Sequence, residues 1–132
     1  MADNIATVQK IYEAFGRGDV ATILDQVTED VDWASEPNGT APWHGVHKGK
    51  GEVPKFFEAI GANLEVTEFT PLTFAANDHD VLTVVRFGMR IPATGKQGTM
   101  DLHHWFRFNS AGKVERYRGS EDTALTAELL HK

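Results

Sequence analysis

Met100-Asp-Leu-His-His-Trp-Phe-Arg-Phe108 is the stretch on which the fold turns. Its alternate positions are Met100, Leu102, His104, Phe106 and Phe108. Strand residues two apart share a face. Four apolar side chains therefore define a buried face, and His104 interrupts it. A buried polar group without a partner costs about 1–3 kcal/mol. His104 must either find a hydrogen-bond partner in a core or line a cavity that needs it.

Further strands flank this one. Val81 to Ile91 alternates, with Val81, Val85, Phe87, Met89 and Ile91 on one face and Arg86 and Arg90 on the other. Thr94-Gly95-Lys96 turns it into the His104 strand, and Asn109 to Lys113 turns that into a last strand, Val114 to Glu121. Upstream, Leu64 to Ala75 reads as a strand with Pro71 at an edge or bulge, followed by a turn over Asn77 to Asp80. Ile5, Val8, Ile11, Tyr12 and Phe15 follow the helical period until Gly16 and Gly18 stop it. Asp19 caps a second helix with Val20, Ile23, Leu24 and Val27 inward, broken by Thr28-Glu-Asp30. Val31 to Ser35 is a short strand with Trp33 and Ser35 on one face, and Glu36 to Lys48, with its two prolines and two glycines, reads as a loop. Val53, Phe56, Phe57 and Ile60 mark a third helix, and a short polar helix closes the chain from Asp122.

The order ααβαββββ is an α+β pattern in a single domain, residues 1–132. Helices that cover one face of a curved sheet make a cone with one deep pocket, the default ligand site. A ligand reading predicts a cavity of roughly 300 Å³ or more reaching His104.

Composition narrows the function classes. The chain has no cysteine, which removes disulfides, cysteine-based zinc sites and thiol catalysis. The net charge of −6 lies entirely in residues 1–40, with eight acids against two bases. Arg107, Arg116 and Arg118 are flanked by acids, so nucleic acid is not an expected partner. No apolar run approaches the roughly 20 residues of a membrane span, and Met1 to Asn4 carries no signal-peptide features, so the cytoplasm is the expected compartment. His44 with His47 and His103 with His104 are the close histidine pairs. Adjacent strand histidines face opposite ways and the first pair lacks a third ligand, so no metal site is expected. No phosphate loop or G-x-S-x-G elbow is present, and no cofactor is expected.

Several stretches carry a family resemblance. They are Tyr12-Glu-Ala-Phe-Gly-Arg-Gly-Asp19, Thr28-Glu-Asp-Val-Asp-Trp33, Trp43-His-Gly45, Lys48-Gly-Lys-Gly51 before Phe56-Phe57, and His104-Trp-Phe-Arg-Phe-Asn-Ser-Ala-Gly-Lys-Val114. Together they resemble the SnoaL-like and ketosteroid-isomerase-like branch of the nuclear transport factor 2-like superfamily, along nearly the whole chain. The resemblance implies a cystatin-like cone and a homodimer. It implies no single activity, because the same cone hosts isomerases, cyclases, hydrolases, dehydratases and plain binders.

Compared with ketosteroid isomerases, Ile11 stands where those enzymes carry a tyrosine, with Tyr12 adjacent. Ser35 or Glu36 stands at their base, and His104 at their protonated aspartate. Steroid isomerisation is therefore not expected. SnoaL-type cyclases use a histidine, matched by His103 or His104, and an aspartate whose place falls near Gly119; Asp122 matches a second acid of many relatives. By the same register Tyr117 and Glu121 face inward, and a His104–Glu121 or His104–Tyr117 pair would form a proton-transfer unit. The candidate catalytic residues are thus His104, Glu121 and Tyr117. Tyr12, Phe15, Trp33, Ser35, Trp43, Phe57, Phe87 and Met89 are expected to line the pocket, with Asp122 at its rim. Trp43 and His44 lie over the mouth as a lid or an anchor. The expected ligand is a small apolar cyclic or carbonyl-bearing molecule. A cofactor-free isomerase, cyclase, hydrolase or dehydratase, a non-catalytic binder and a dimeric interaction module all remain open.

Overall fold

The computed structural model describes residues 3–132. Asp3 caps α1 (Asn4–Gly16) by accepting the Ala6 N–H at 3.0 Å, and Val8, Ile11, Tyr12 and Ala14 form its buried stripe. Gly18, with φ +70°, turns the chain at the end of α1. Asp19 then caps the five-residue α2 (Val20–Leu24).

β1 (Val27–Ser35) starts four residues earlier than the sequence suggested, so Thr28-Glu-Asp30 lies inside a strand. Val27 pairs with Val114, and a register irregularity before Asp32 accommodates the polar triplet. A second correction is β2 (Gly45–Lys48), which falls in the stretch expected to be loop. Both prolines precede it, and its four residues pair antiparallel with Asp32 to Ser35. Pro54 sits in the first turn of α3 (Val53–Asn63). β3 (Glu65–Ala76), β4 (Asp80–Ile91), β5 (Lys96–Phe108) and β6 (Val114–Ser120) form the expected antiparallel meander.

The six-stranded sheet has the order β2-β1-β6-β5-β4-β3. β1 runs parallel to β6, so the sheet is mixed and the fold is α+β. The closing helix α4 (Thr123–Leu130) is not simply polar. It buries Thr126 and Leu129 and packs on β5 at Gly98, where Leu125 and Leu129 methyls would lie 3.4 Å from an added Cβ. The acid-flanked arginines of the last two strands are each engaged: Arg107 with Asp80, Arg118 with Asp32, and Arg116 over the Trp105 ring. Among the described residues no helix is long and apolar enough to cross a membrane.

Register places the site. Thr83 on β4, His104 on β5 and Gly119 on β6 are direct neighbours across three strands. α1 lays Tyr12 over this row, and the inner face continues through Phe106, Met89 and Phe87.

Candidate functional site

His104 finds its partner on α1. The Tyr12 hydroxyl lies 2.7 Å from His104 Nδ1 and 2.6 Å from Thr83 Oγ1. Thr83 is buried and its hydroxyl makes no other hydrogen bond among the described residues. Its proton must therefore go to Tyr12, or it would be buried unpaired. Tyr12 in turn donates to His104 Nδ1. The ring proton of His104 then sits on Nε2, so the histidine offers the cavity an N–H donor and no lone pair.

Electrostatics keep the ring neutral, as the relay requires. Burial, helped by the charge of His103, pushes the His104 pKa down to about 3. Burial raises Tyr12 and Tyr117 well above the usual phenol range. All three groups are neutral at pH 7. A consequence for stability follows. Unfolded His104 takes up a proton near pH 6.5, whereas the folded residue does so only near 3. Between these values the unfolded state binds more protons, so stability present above pH 6.5 is lost as pH falls toward 3. The contribution is on the order of a few kcal/mol. Chemical denaturation at pH 7 and pH 4 should show a larger acid loss in the native chain than in His104→Gln. Equal losses would contradict the assignment.

Tyr117 faces inward, stacked on Trp33 at 4.1 Å between centroids and 26° between planes. Its hydroxyl lies over Gly119, where an added Cβ would come within 2.5 Å of the oxygen. The space of a side chain at position 119 is thus taken by the Tyr117 phenol, whose ring meets that of His104 edge-on at 5.3 Å. The Trp33 indole N–H is buried without a partner. Ser35, also buried, lines the same space.

Neither pairing proposed for His104 from sequence forms; Tyr12 holds that position instead. Gly119 is opposite His104, which puts Glu121 two residues farther on, about 7 Å along the strand direction. Glu121 serves another cluster. Its Oε1 accepts the Trp43 indole N–H at 2.9 Å and the His44 Nε2–H at 2.8 Å, and Thr126 donates to Oε2. The Ala41 N–H donates to His44 Nδ1 at 3.0 Å, which fixes the proton on Nε2. Gly39 lies flat against that imidazole, with an added Cβ only 2.1 Å from Nδ1. Glu36, with φ +39°, accepts the Glu121 N–H at 2.7 Å. Residues 36–44 are thereby latched onto the end of β6.

The cavity holds only about 80 Å³, so the ligand-sized space of roughly 300 Å³ expected from the sequence is not met: aromatic rings occupy most of the cone, and a ligand enters only if some of them move. It does reach His104, Tyr117 and Glu121. Tyr12, Phe15, Trp33, Ser35, Trp43, Phe57, Phe87 and Met89 all line it. Asp122 does not: it is exposed, and its carboxylate caps α4 by accepting the Leu125 N–H at 3.0 Å. Sequence reasoning passed over Phe56 and Phe69 in the lining and Thr83 in the relay behind it. Thr83 carried the same signal as His104, a polar residue on an apolar strand face. Among the described residues no group of three or more His, Cys, Asp or Glu could hold a metal ion.

The fold that carries this site has known counterparts. A nuclear transport factor 2-like protein of unknown function from Burkholderia pseudomallei is 26% identical, with a TM-score of 0.89 over 100% of both chains. TerC, co-crystallised with polyporic acid, is 23% identical with a TM-score of 0.85, over 97% of this chain and 98% of that one. A protein provisionally named a polyketide cyclase, from Xanthomonas campestris pv. campestris, is 17% identical with a TM-score of 0.78, over 97% and 96%. The latter two show the fold alone. No curated protein matches the sequence. The profile of the SnoaL-like domain matches residues 8–117, and the chain belongs to that family.

Proposed function

We propose that this chain binds a small apolar cyclic or carbonyl-bearing molecule in the cone and moves a proton on it without a cofactor, as an isomerase or cyclase does. The observation that carries this reading is the relay Thr83 to Tyr12 to His104, which ends as a free N–H in an apolar cavity. Such a donor suits a carbonyl oxygen that gains negative charge as a neighbouring carbon loses its proton. Glu121 is the sole carboxylate among the described lining residues. Three donors occupy three of its roughly four acceptor positions, which leaves one for a substrate proton. Glu121 takes that proton from carbon and returns it to another atom of the same molecule, so nothing is consumed. His104 orients and stabilises; it does not abstract.

A thermal-shift screen with aromatic and polyketide-like ketones, followed by turnover assays on each hit, tests this. Hits should lose their stabilising effect in His104→Gln. Their turnover should fall 10²-fold or more in Glu121→Gln. Equal turnover in Glu121→Gln would remove the carboxylate's role, and the absence of any ketone ligand would remove the reading. A bound ketone that is never turned over would favour the second reading, a non-catalytic binder, which the tight latch on Glu121 supports. We further infer a homodimer. Leu82, 52% exposed, sits beside Trp105 on the outer sheet face, an apolar centre ringed by paired charges. A monomer in sedimentation equilibrium at micromolar concentration would contradict it.

A further inference from the structure

The cavity at His104 is small for a specific ligand site. A larger apolar groove of about 560 Å³ lies outside it, between the α1–α2 turn and α3. The two spaces share part of their lining. Phe15, Phe57, Ile60, Leu64 and Phe69 line both. Phe15 sits between the other two phenyls, with its centroid 6.0 Å from Phe57 and 5.2 Å from Phe69. All three are half-buried. The opposite end of the cavity is shut by the buried hydrogen bonds of Trp43 and His44 to Glu121. The phenyl end has only dispersion contacts to lose, so it is the end that yields more easily.

We propose that the ligand site continues past Phe15, Phe57 and Phe69 into this groove. It would then take an elongated molecule with an acceptor oxygen at the His104 end and a neutral apolar tail between α1 and α3. The inference rests on the ketone-binding reading above and extends it to ligand shape. An anionic tail is disfavoured, because Asp19 and Glu58 border the groove.

The test is titration calorimetry with acetophenone and hexanophenone. The native chain should bind hexanophenone at least tenfold tighter than acetophenone. Gly61 is exposed on the groove side of α3, outside the cavity lining, and an added Cβ there meets nothing within 4 Å. Gly61→Phe should fill the groove, abolish the hexanophenone advantage and leave acetophenone affinity unchanged. Glu58→Trp, from the same exposed side, provides a second obstruction if the first variant folds poorly. Equal affinity for both ketones in the native chain overturns the inference, as does an advantage that survives both variants. Both results leave the ketone reading standing, since acetophenone still binds. Failure of every ketone to bind overturns the two together.

Discussion

Glu121→Ala is expected to destabilise the fold by about 3–5 kcal/mol, the cost of removing one side of a buried polar pair. The Trp43 indole N–H and the His44 Nε2–H both end on Glu121, and the His44 and Glu121 side chains are only 3% and 6% exposed. Alanine leaves both donors buried and unanswered. Glu121→Gln should lose far less, about 1 kcal/mol. Its carbonyl can keep both donors, and Thr126 can turn its proton to the Asp122 carbonyl, 3.0 Å away. Denaturant melts of the two variants separate these outcomes. Faster proteolytic cleavage within residues 36–44 of the alanine variant would locate the loss in the latch. An alanine variant within 1 kcal/mol of native would mean the latch contributes little.

Trp33→Ala is the second large effect, again about 3–5 kcal/mol. Trp33 is 2% exposed, stacks on Tyr117 and meets Phe56 and Phe57, each at 5.9 Å between centroids. Its N–H has no partner, so the loss is one of packing alone. The variant therefore holds an apolar void joined to the existing cavity, the kind of space that takes up a small aromatic molecule. Indole should raise its melting temperature and restore part of the lost stability while leaving the native chain nearly unmoved. No response to indole would mean that the cone collapses around the void.

The alternation of Met100 to Phe108 was enough to put His104 on the inner face, because strand period is a local property. Its partner was harder to see. Tyr12 lies on the apolar stripe of α1, and a hydroxyl there also demands a partner. Thr83 lies between Val81 and Val85 on the inner face of β4. Each of the three polar groups was visible alone, but their meeting depends on strand register and helix docking. β2 is four residues long, too short for a period to show. α4 read as polar although Leu125 and Leu129 are four apart, a spacing that only packing on β5 makes informative. Glu121 was rightly turned inward, yet the donors it meets come from positions 43 and 44. No short-range rule connects those segments. The cavity volume depends on how aromatic rings settle against one another, which composition does not specify.

His104 is a neutral donor whose proton is on Nε2. Long-range proton–nitrogen NMR of the histidine rings between pH 5 and pH 8 measures this directly. His104 should show one ring pattern across the range, with a protonated Nε2 and an unprotonated Nδ1. A His104 signal that titrates near pH 6.5, or one that shows the proton on Nδ1, would contradict it.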